Sequence, residues 1–441
     1  ANARAAANPG DTIVFDGMAA AGDESPNSQR ACNWNINDVW IADWLQDGYT
    51  NAVTFYTGPV YSNVATGVKG LLSADGLRRE LVVTGNVSIA SGSWKPADTP
   101  SLSSTHPGWK NGEGVYRLIA RAGGDFTLAA GAAVVAKSGF AGSAGPGTGS
   151  GNNGGSHGGN GGQHSPDSWA YPDKSYGLVR APVTIGSGGN HGGGAGAIQI
   201  SAGETLAING LFDACAYPGN WGLGGAGGSV YLTAKAITGA GAVKANSTST
   251  ASGGRVALIV TGAGNDLRGY TGTISAISGT GNSTGRAGTI YLETPADKAR
   301  GGVLRLMGYG NASGTYGFYT PLSNTSEDFG FARIELTNCV FLGIGPGVSV
   351  RADEFVSLGA NNNYLCFLGG DFEVPNGYVF TNMTLRADKP GSTLSTALGA
   401  ADEIVIAKGV PFTINKDFAV TAKVRLRPGV TLNHFSGDSA D

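Results

Sequence analysis

The chain has 441 residues, of which 75 are glycine, 41% are hydrophobic and only 14% are charged, for a formal net charge of −3. That apolar share supports a packed core and argues against a solvating, disordered polymer. The lack of a basic run removes the electrostatic footprint that nucleic acid requires, and no stretch approaches the roughly 20 apolar residues that span a bilayer as a helix, so neither partner is expected.

Residues 1–60 differ from the rest and are expected to form an N-terminal cap. Over Ile36–Gly48 a leading Asn/Asp, apolar Trp40, Ile41, Trp44 and Leu45, and a closing Gly predict a short amphipathic helix. Trp34, Trp40 and Trp44 are read first as cover for an open sheet end, and second as stacking surfaces for sugars or a partner. Ala1 in place of Met, with no basic or apolar leader after it, fits a chain whose secretion signal has been removed.

From 61 to 300 the strands are short and glycine sets the frame. Glu80–Ile89 and Val115–Ala120 alternate and are rich in β-branched residues, and Phe126–Val135 reads as two strands hinged at Gly131. Residues 139–162 are half glycine and would score as a flexible linker by composition. Copies of one repeat lie on both sides of them, so an ordered excursion is expected instead of a boundary. Those copies centre on Ile198, Val230, Val256 and Ile290, at steps of 32, 26 and 34 residues, each after a Gly-rich turn. A repeat near that length holds two or three strands of about six residues with their turns, the spacing of a solenoid. The expected fold is therefore all-β, a parallel β-helix.

Past 300 glycine thins and bulkier strands follow turns such as Gly345-Pro346-Gly347, Pro375-Asn376-Gly377 and Arg427-Pro428-Gly429. Residues 301–441 are expected to continue the stack. Cys339 and Cys366 stand one repeat apart and are candidates for a disulfide, with a ladder of small buried side chains as the alternative.

Several of these segments resemble a known family. Ser156-His157-Gly158-Gly159-Asn160-Gly161-Gly162, Ser175-Tyr176-Gly177, Ile185-Gly186-Ser187-Gly188-Gly189 and Gly239–Ala245 look like glycine-rich, secreted or surface parallel β-helix proteins and, more loosely, adhesin passengers. The likeness covers about residues 75–295. It implies an extracellular, right-handed β-helix used in adhesion or surface assembly, self-associating into an oligomer or filament, with glycans as further partners.

Chemistry is sparse by comparison. Val39-Trp40-Ile41-Ala42-Asp43-Trp44 is similar to the Val-Trp-Ile-Asp-His signature of pectate-lyase-like enzymes, but carries an extra Ala and has Trp44 in place of the His. One inserted residue turns a strand side chain to the opposite face, which makes the likeness coincidental. If the chain were a polysaccharide lyase or glycoside hydrolase, Asp353, Glu354, Asp371 and Glu373 with Arg333 and Arg351 would be the candidate catalytic patch. Solvated strand-edge charges are the plain reading of the same residues. A glycan-binding module would use Trp109, Trp169 or Trp221. His157, His164 and His191 have imidazoles for a metal, but their spacings of 7 and 27 match no ligand pattern. No nucleophile elbow, phosphate loop or calcium repeat occurs, and no cofactor is expected.

Overall fold

The computed structural model describes residues 12–15, 32–34, 40–55, 57–58, 80–149, 154–162, 174–217, 224–248, 250–279, 285–309, 319–338, 340–359, 363–396, 403–406, 412–414, 418–421 and 423–434. Regular structure here is β but for one four-residue helix, Pro107–Lys110, entered through the His106 side chain, which accepts from Gly108 N at 3.0 Å.

Up to Glu293 successive strands are dealt to three sheets. Thr12–Phe15, Asp43–Gln46, Val87–Ile89, Phe126–Leu128, Thr205–Ile208 and Ala236–Thr238 pair side by side in one sheet. A second holds Cys32–Trp34, Ala52–Phe55, Ser93–Pro96, Ala133–Val135, Leu211–Asp213, Ala242–Lys244 and Thr273–Ser275. Trp40–Ile41, Leu81–Val83, Leu118–Ala122, Ala197–Ala202, Ser229–Ala234, Arg255–Val260 and Thr289–Glu293 begin a third, thirteen strands wide. Their pairings are parallel. Parallel neighbours need a connection of a dozen or more residues; up to Arg255 the chain supplies it by passing through the other two sheets, and between Arg255–Val260 and Thr289–Glu293 by passing through the second alone.

Strand burial alternates, as in Ala197–Ala202, where Ile198 and Ile200 face the core. Parallel stacking then puts like on like: Ile198 pairs with Val230, Val230 with Val256 and Val256 with Ile290. The spacing expected from the sequence is thus the register itself. Each such fully buried aliphatic is worth about 1.5–3 kcal/mol. Gly131, at φ +88°, makes the expected hinge between the strands at 126 and 133. At one corner the stacking is polar: Asp43 Oδ1 accepts from Asn86 N (2.7 Å), Asn86 Oδ1 from Asp125 N (2.8 Å) and Asp125 Oδ1 from Thr205 N (2.9 Å).

Of the segment Ile36–Gly48, expected as a helix, residues 36–39 lie outside the described residues, and in the rest Trp40–Ile41 and Asp43–Gln46 are strands with a corner between them. The apolar spacing suits either structure, and backbone partners in the next round decide it: Trp44 N donates to Asn86 O and Thr84 N to Ile41 O. Trp44 and Gln46 turn inward while Leu45 faces out. Trp44 and Trp94 meet edge to face at 5.1 Å, with Phe55 and Phe126 against Trp94.

At residue 293 the third sheet changes sense. Thr289–Glu293 pairs antiparallel with Val303–Met307, and from there Phe329–Thr337, Ser349–Leu358, Asp371–Val374, Ser392–Thr396 and Phe418–Val420 run parallel to one another in the same sheet. The apolar side changes as well. Val256, Leu258 and Ile290 belong to the core of the first part, whereas Ala257 and Tyr291, on the opposite face of the same strands, belong to a second core with Leu304, Phe331 and Ile334. Two cores therefore share one wall, which is buried on both sides as parallel sheets generally are. Thr320–Leu322, Phe341–Ile344, Asn363–Phe367, Met383–Ala387, Phe412–Ile414 and Leu432–His434 form a further sheet, and Val379–Phe380, Glu403–Ile406 and Lys423–Leu426 another. The register pairs Gly343, not Cys339, with Cys366. Rounds here are shorter than the repeat from which a disulfide was expected; Cys366 is a buried free thiol, and Cys339 lies outside the described residues.

The glycine-rich excursion is packed. Segment 186–188 exchanges backbone hydrogen bonds with Phe140, Ala144, Ala195 and Ala226, more neighbours than a strand in a sheet can have. Farther on, Gly155 N donates to Gly224 O, Gly158 N to Gly253 O and Asn160 N to Tyr319 O. Extended chain without side chains can bond in several directions at once, as threefold polyproline-like geometry permits. The glycines that head the strands need the same bareness: a Cβ on Gly228 would lie 1.8 Å from Gly196 O, and one on Gly254 2.0 Å from Gly228 O.

Candidate functional site

Where the excursion crosses the strand starts, a buried polar cluster forms. The ladder Ala197, Ser229, Arg255, Thr289 carries small residues except at Arg255. Arg255 is 3% exposed; its Nε donates to Tyr176 O (2.9 Å) and its Nη1 to Thr289 Oγ1 (3.0 Å). Tyr176 turns its hydroxyl to Ile185 O (2.5 Å) and Ser187 Oγ (2.8 Å), and its phenol is held above the ordinary range by burial.

His157 lies at the centre, fully buried and 4.8 Å from the Tyr176 ring. Its Nδ1 is 2.7 Å from Gly227 O and its Nε2 2.7 Å from Thr184 Oγ1. A carbonyl only accepts, so Nδ1 carries the proton and Nε2 accepts from the threonine. Burial first, then the Arg255 charge, pushes its pKa down to about 3, which keeps the ring neutral. With both nitrogens engaged, His157 has none to offer a metal. His191 is exposed beside Asn190, and His164 lies outside the described residues. Among the described residues no three His, Cys, Asp or Glu side chains form a group that could hold a metal ion.

Between this cluster and the second core is a cavity of about 270 Å³, lined by Tyr176, Val179, Arg255, Ser323, Glu327 and Phe329 among others. The Glu327 carboxylate accepts from Val179 N and Arg180 N at 2.9–3.0 Å. The volume is below the range of about 300–1,000 Å³ usual for ligand pockets, and its strongest polar groups bond protein. The arrangement is suited to clamping the excursion onto the shared wall.

The acidic and basic residues singled out in the sequence lie elsewhere, on the outward face of the second part. Arg333 pairs with Glu335 (2.9 Å) and Glu354 (3.2 Å), and Asp353 with Arg300 (3.7 Å). Register sets Glu373 beside Arg351 and Asp371 beside Ser349. Arg351, Asp353, Glu354 and Asp371 are exposed, and none of these residues lines the cavity. The strands bend where Arg333 and Glu354 sit: Phe331 and Ile334 both point inward, leaving two consecutive outward residues, and the same holds at Asp353–Glu354.

The tryptophans separate. Trp44 is 1% exposed and belongs to the core, so it offers no binding surface. Trp109, on the short helix, packs against Phe140, Ile185 and Ala197. The Trp34 and Trp40 side chains, and all of Trp169 and Trp221, lie outside the described residues. The buried Trp94, with Nε1 donating to Gln46 Oε1 at 3.1 Å, was not anticipated. Arg255 was also missed, although a signal existed: it is the one charged residue at its position in the four repeat copies.

No helix among the described residues is long and apolar enough to cross a membrane. Comparison with protein-family models, with curated proteins and with solved structures finds no match.

Proposed function

We propose that this protein is an extracellular structural subunit, a rigid right-handed parallel β-helix that builds a surface filament, fibre or layer and adheres through its outer faces. The observation that carries the reading is the unbroken strand-on-strand register of the thirteen-stranded sheet. On this reading the three sheets of the first part are the walls of one coiled column, and the second part is a column wound on the other face of the shared wall. Reversing strand direction and changing core face together leave the sense of winding unchanged, so one hand serves both parts. Rounds that touch only their neighbours give a stiff body whose length scales with their number. The Gly-rich lattice and the His157 cluster add rigidity without chemistry.

Electron microscopy of the purified chain tests this reading, with fibres or lattices as the expected result. Dispersed single particles, or release of new sugar ends from a polysaccharide, would replace it; the latter would favour a lyase or hydrolase acting at the Arg333–Glu373 face.

A further inference from the structure

The final strands of the second part are built like those before them but are open on one side. Ile404 and Ile406 are buried, and their register partners in the next strand, Val424 and Leu426, are 41% and 45% exposed. Phe412 is 4% exposed and its partner Leu432 is 51% exposed. These side chains continue the inward ladders of the core, yet no described strand lies beyond them. Among the described residues, Phe418–Val420, Lys423–Leu426 and Leu432–His434 are each the last strand of their sheets, with no strand on their outer backbone edge.

At the opposite end, Thr12–Phe15, Cys32–Trp34 and Trp40–Ile41 are the first strands of the three sheets there. Among the described residues, each end therefore has three edges without a neighbouring strand. Their charges differ: of the described residues, those in 12–50 carry Asp43 and Asp47 and no Lys or Arg, while those in 412–434 carry Lys423, Arg425 and Arg427 and no Asp or Glu. Opposed charge steers the two ends together and disfavours contact between like ends.

We propose that the C-terminal round, through Val424, Leu426, Leu432 and the three free edges, docks onto the N-terminal round of a second copy of this chain, extending the sheets head to tail by strand addition. The inference rests on the self-assembly reading and names its joint. Such a contact is heterologous, and unless its rotation closes a ring it produces an open filament. Winding of one hand in both parts makes the added strands parallel to those they meet.

The test uses two full-length variants whose folding is first checked by circular dichroism and melting temperature: Val424→Asp with Leu426→Asp, which spoils the C-terminal end, and Val14→Pro, which removes a backbone donor from the N-terminal edge, since Ile13, in register with the core-facing Trp44, turns its N–H to the neighbouring strand. Sedimentation is expected to show oligomers for the wild type that weaken severalfold in high salt, monomers for each variant alone, and dimers when the two are mixed. If Val424→Asp with Leu426→Asp misfolds, Leu432→Asp and charge reversal at Lys423 and Arg425 replace it with the same expectation. Wild-type fibres that persist in the C-terminal variants would overturn this joint and leave the fibre reading standing. Dimers of the Val14→Pro variant alone would show a contact between like ends and also overturn it. A wild type that stays monomeric at its highest soluble concentration would remove both.

Discussion

His157 shows how a single side chain can be informative by what it cannot do. Its folded pKa of about 3 lies below the unfolded value of about 6.5, so the unfolded chain binds the extra proton first. The stability it contributes is whole above pH 6.5 and declines as pH falls towards 3, by roughly tenfold in the folding constant per pH unit over that window. His157→Gln keeps a donor for Gly227 and an acceptor for Thr184 and does not titrate; denaturant midpoints for this variant are expected to fall less between pH 7 and pH 4 than those of the wild type. Glycine gives a second residue-scale test. Gly254→Ala drives a methyl into the Gly228 carbonyl and is expected to cost about 2–4 kcal/mol. In Gly142→Ala the nearest atom is 3.4 Å away, so that change is expected to stay within about 1 kcal/mol, both read from urea midpoints.

Among the elements, Asn363 opens its strand from a fully buried position. Its Oδ1 accepts from Val340 N (3.0 Å), and its Nδ2 reaches Leu336 O, Ser357 Oγ and Leu358 O at 2.9–3.2 Å. Asn363→Ala strands several buried partners and is expected to lower stability by about 3 kcal/mol, whereas Asn86→Ala, at an exposed corner, is expected to cost about 1 kcal/mol; chemical denaturation of the two variants side by side checks the contrast. Strand positions were the legible part of the elements. Glu403–Ile406 and the two strands hinged at Gly131, at 126 and 133, stand where the sequence placed them, and Gly347, Gly377 and Gly429 turn at positive φ as their Pro-containing motifs implied. The segment at 36–48 was not legible, because apolar residues three and four apart fit a helix and an angled pair of strands equally well, and only the neighbouring round supplies the partners that choose.

For the whole molecule the shared wall is the decisive feature. Tyr291 fills it on the second core's side with no exposure; its hydroxyl accepts from Gly302 N at 2.9 Å and donates to Glu293. Coupling through this wall is expected to make both cores melt together. Tyr291→Ala opens a cavity there, with an expected loss of about 3–5 kcal/mol, and should split one calorimetric transition into two. A single lowered transition would mean that the cores are joined by other contacts.

What residue order determined by itself is the repeat. Side chains two apart share a strand face, and identical spacing in successive copies makes parallel stacking the arrangement that buries every copy, so Ile198, Val230, Val256 and Ile290 could be aligned before any coordinate was known. What only the tertiary structure decided is direction and depth: the reversal between Glu293 and Val303, the burial of Arg255 and His157, and the passage of residues 154–162 across the strand starts. Those depend on contacts between residues far apart in the chain, where a glycine's missing side chain matters through the carbonyl it lets approach, and no local pattern records which carbonyl that is.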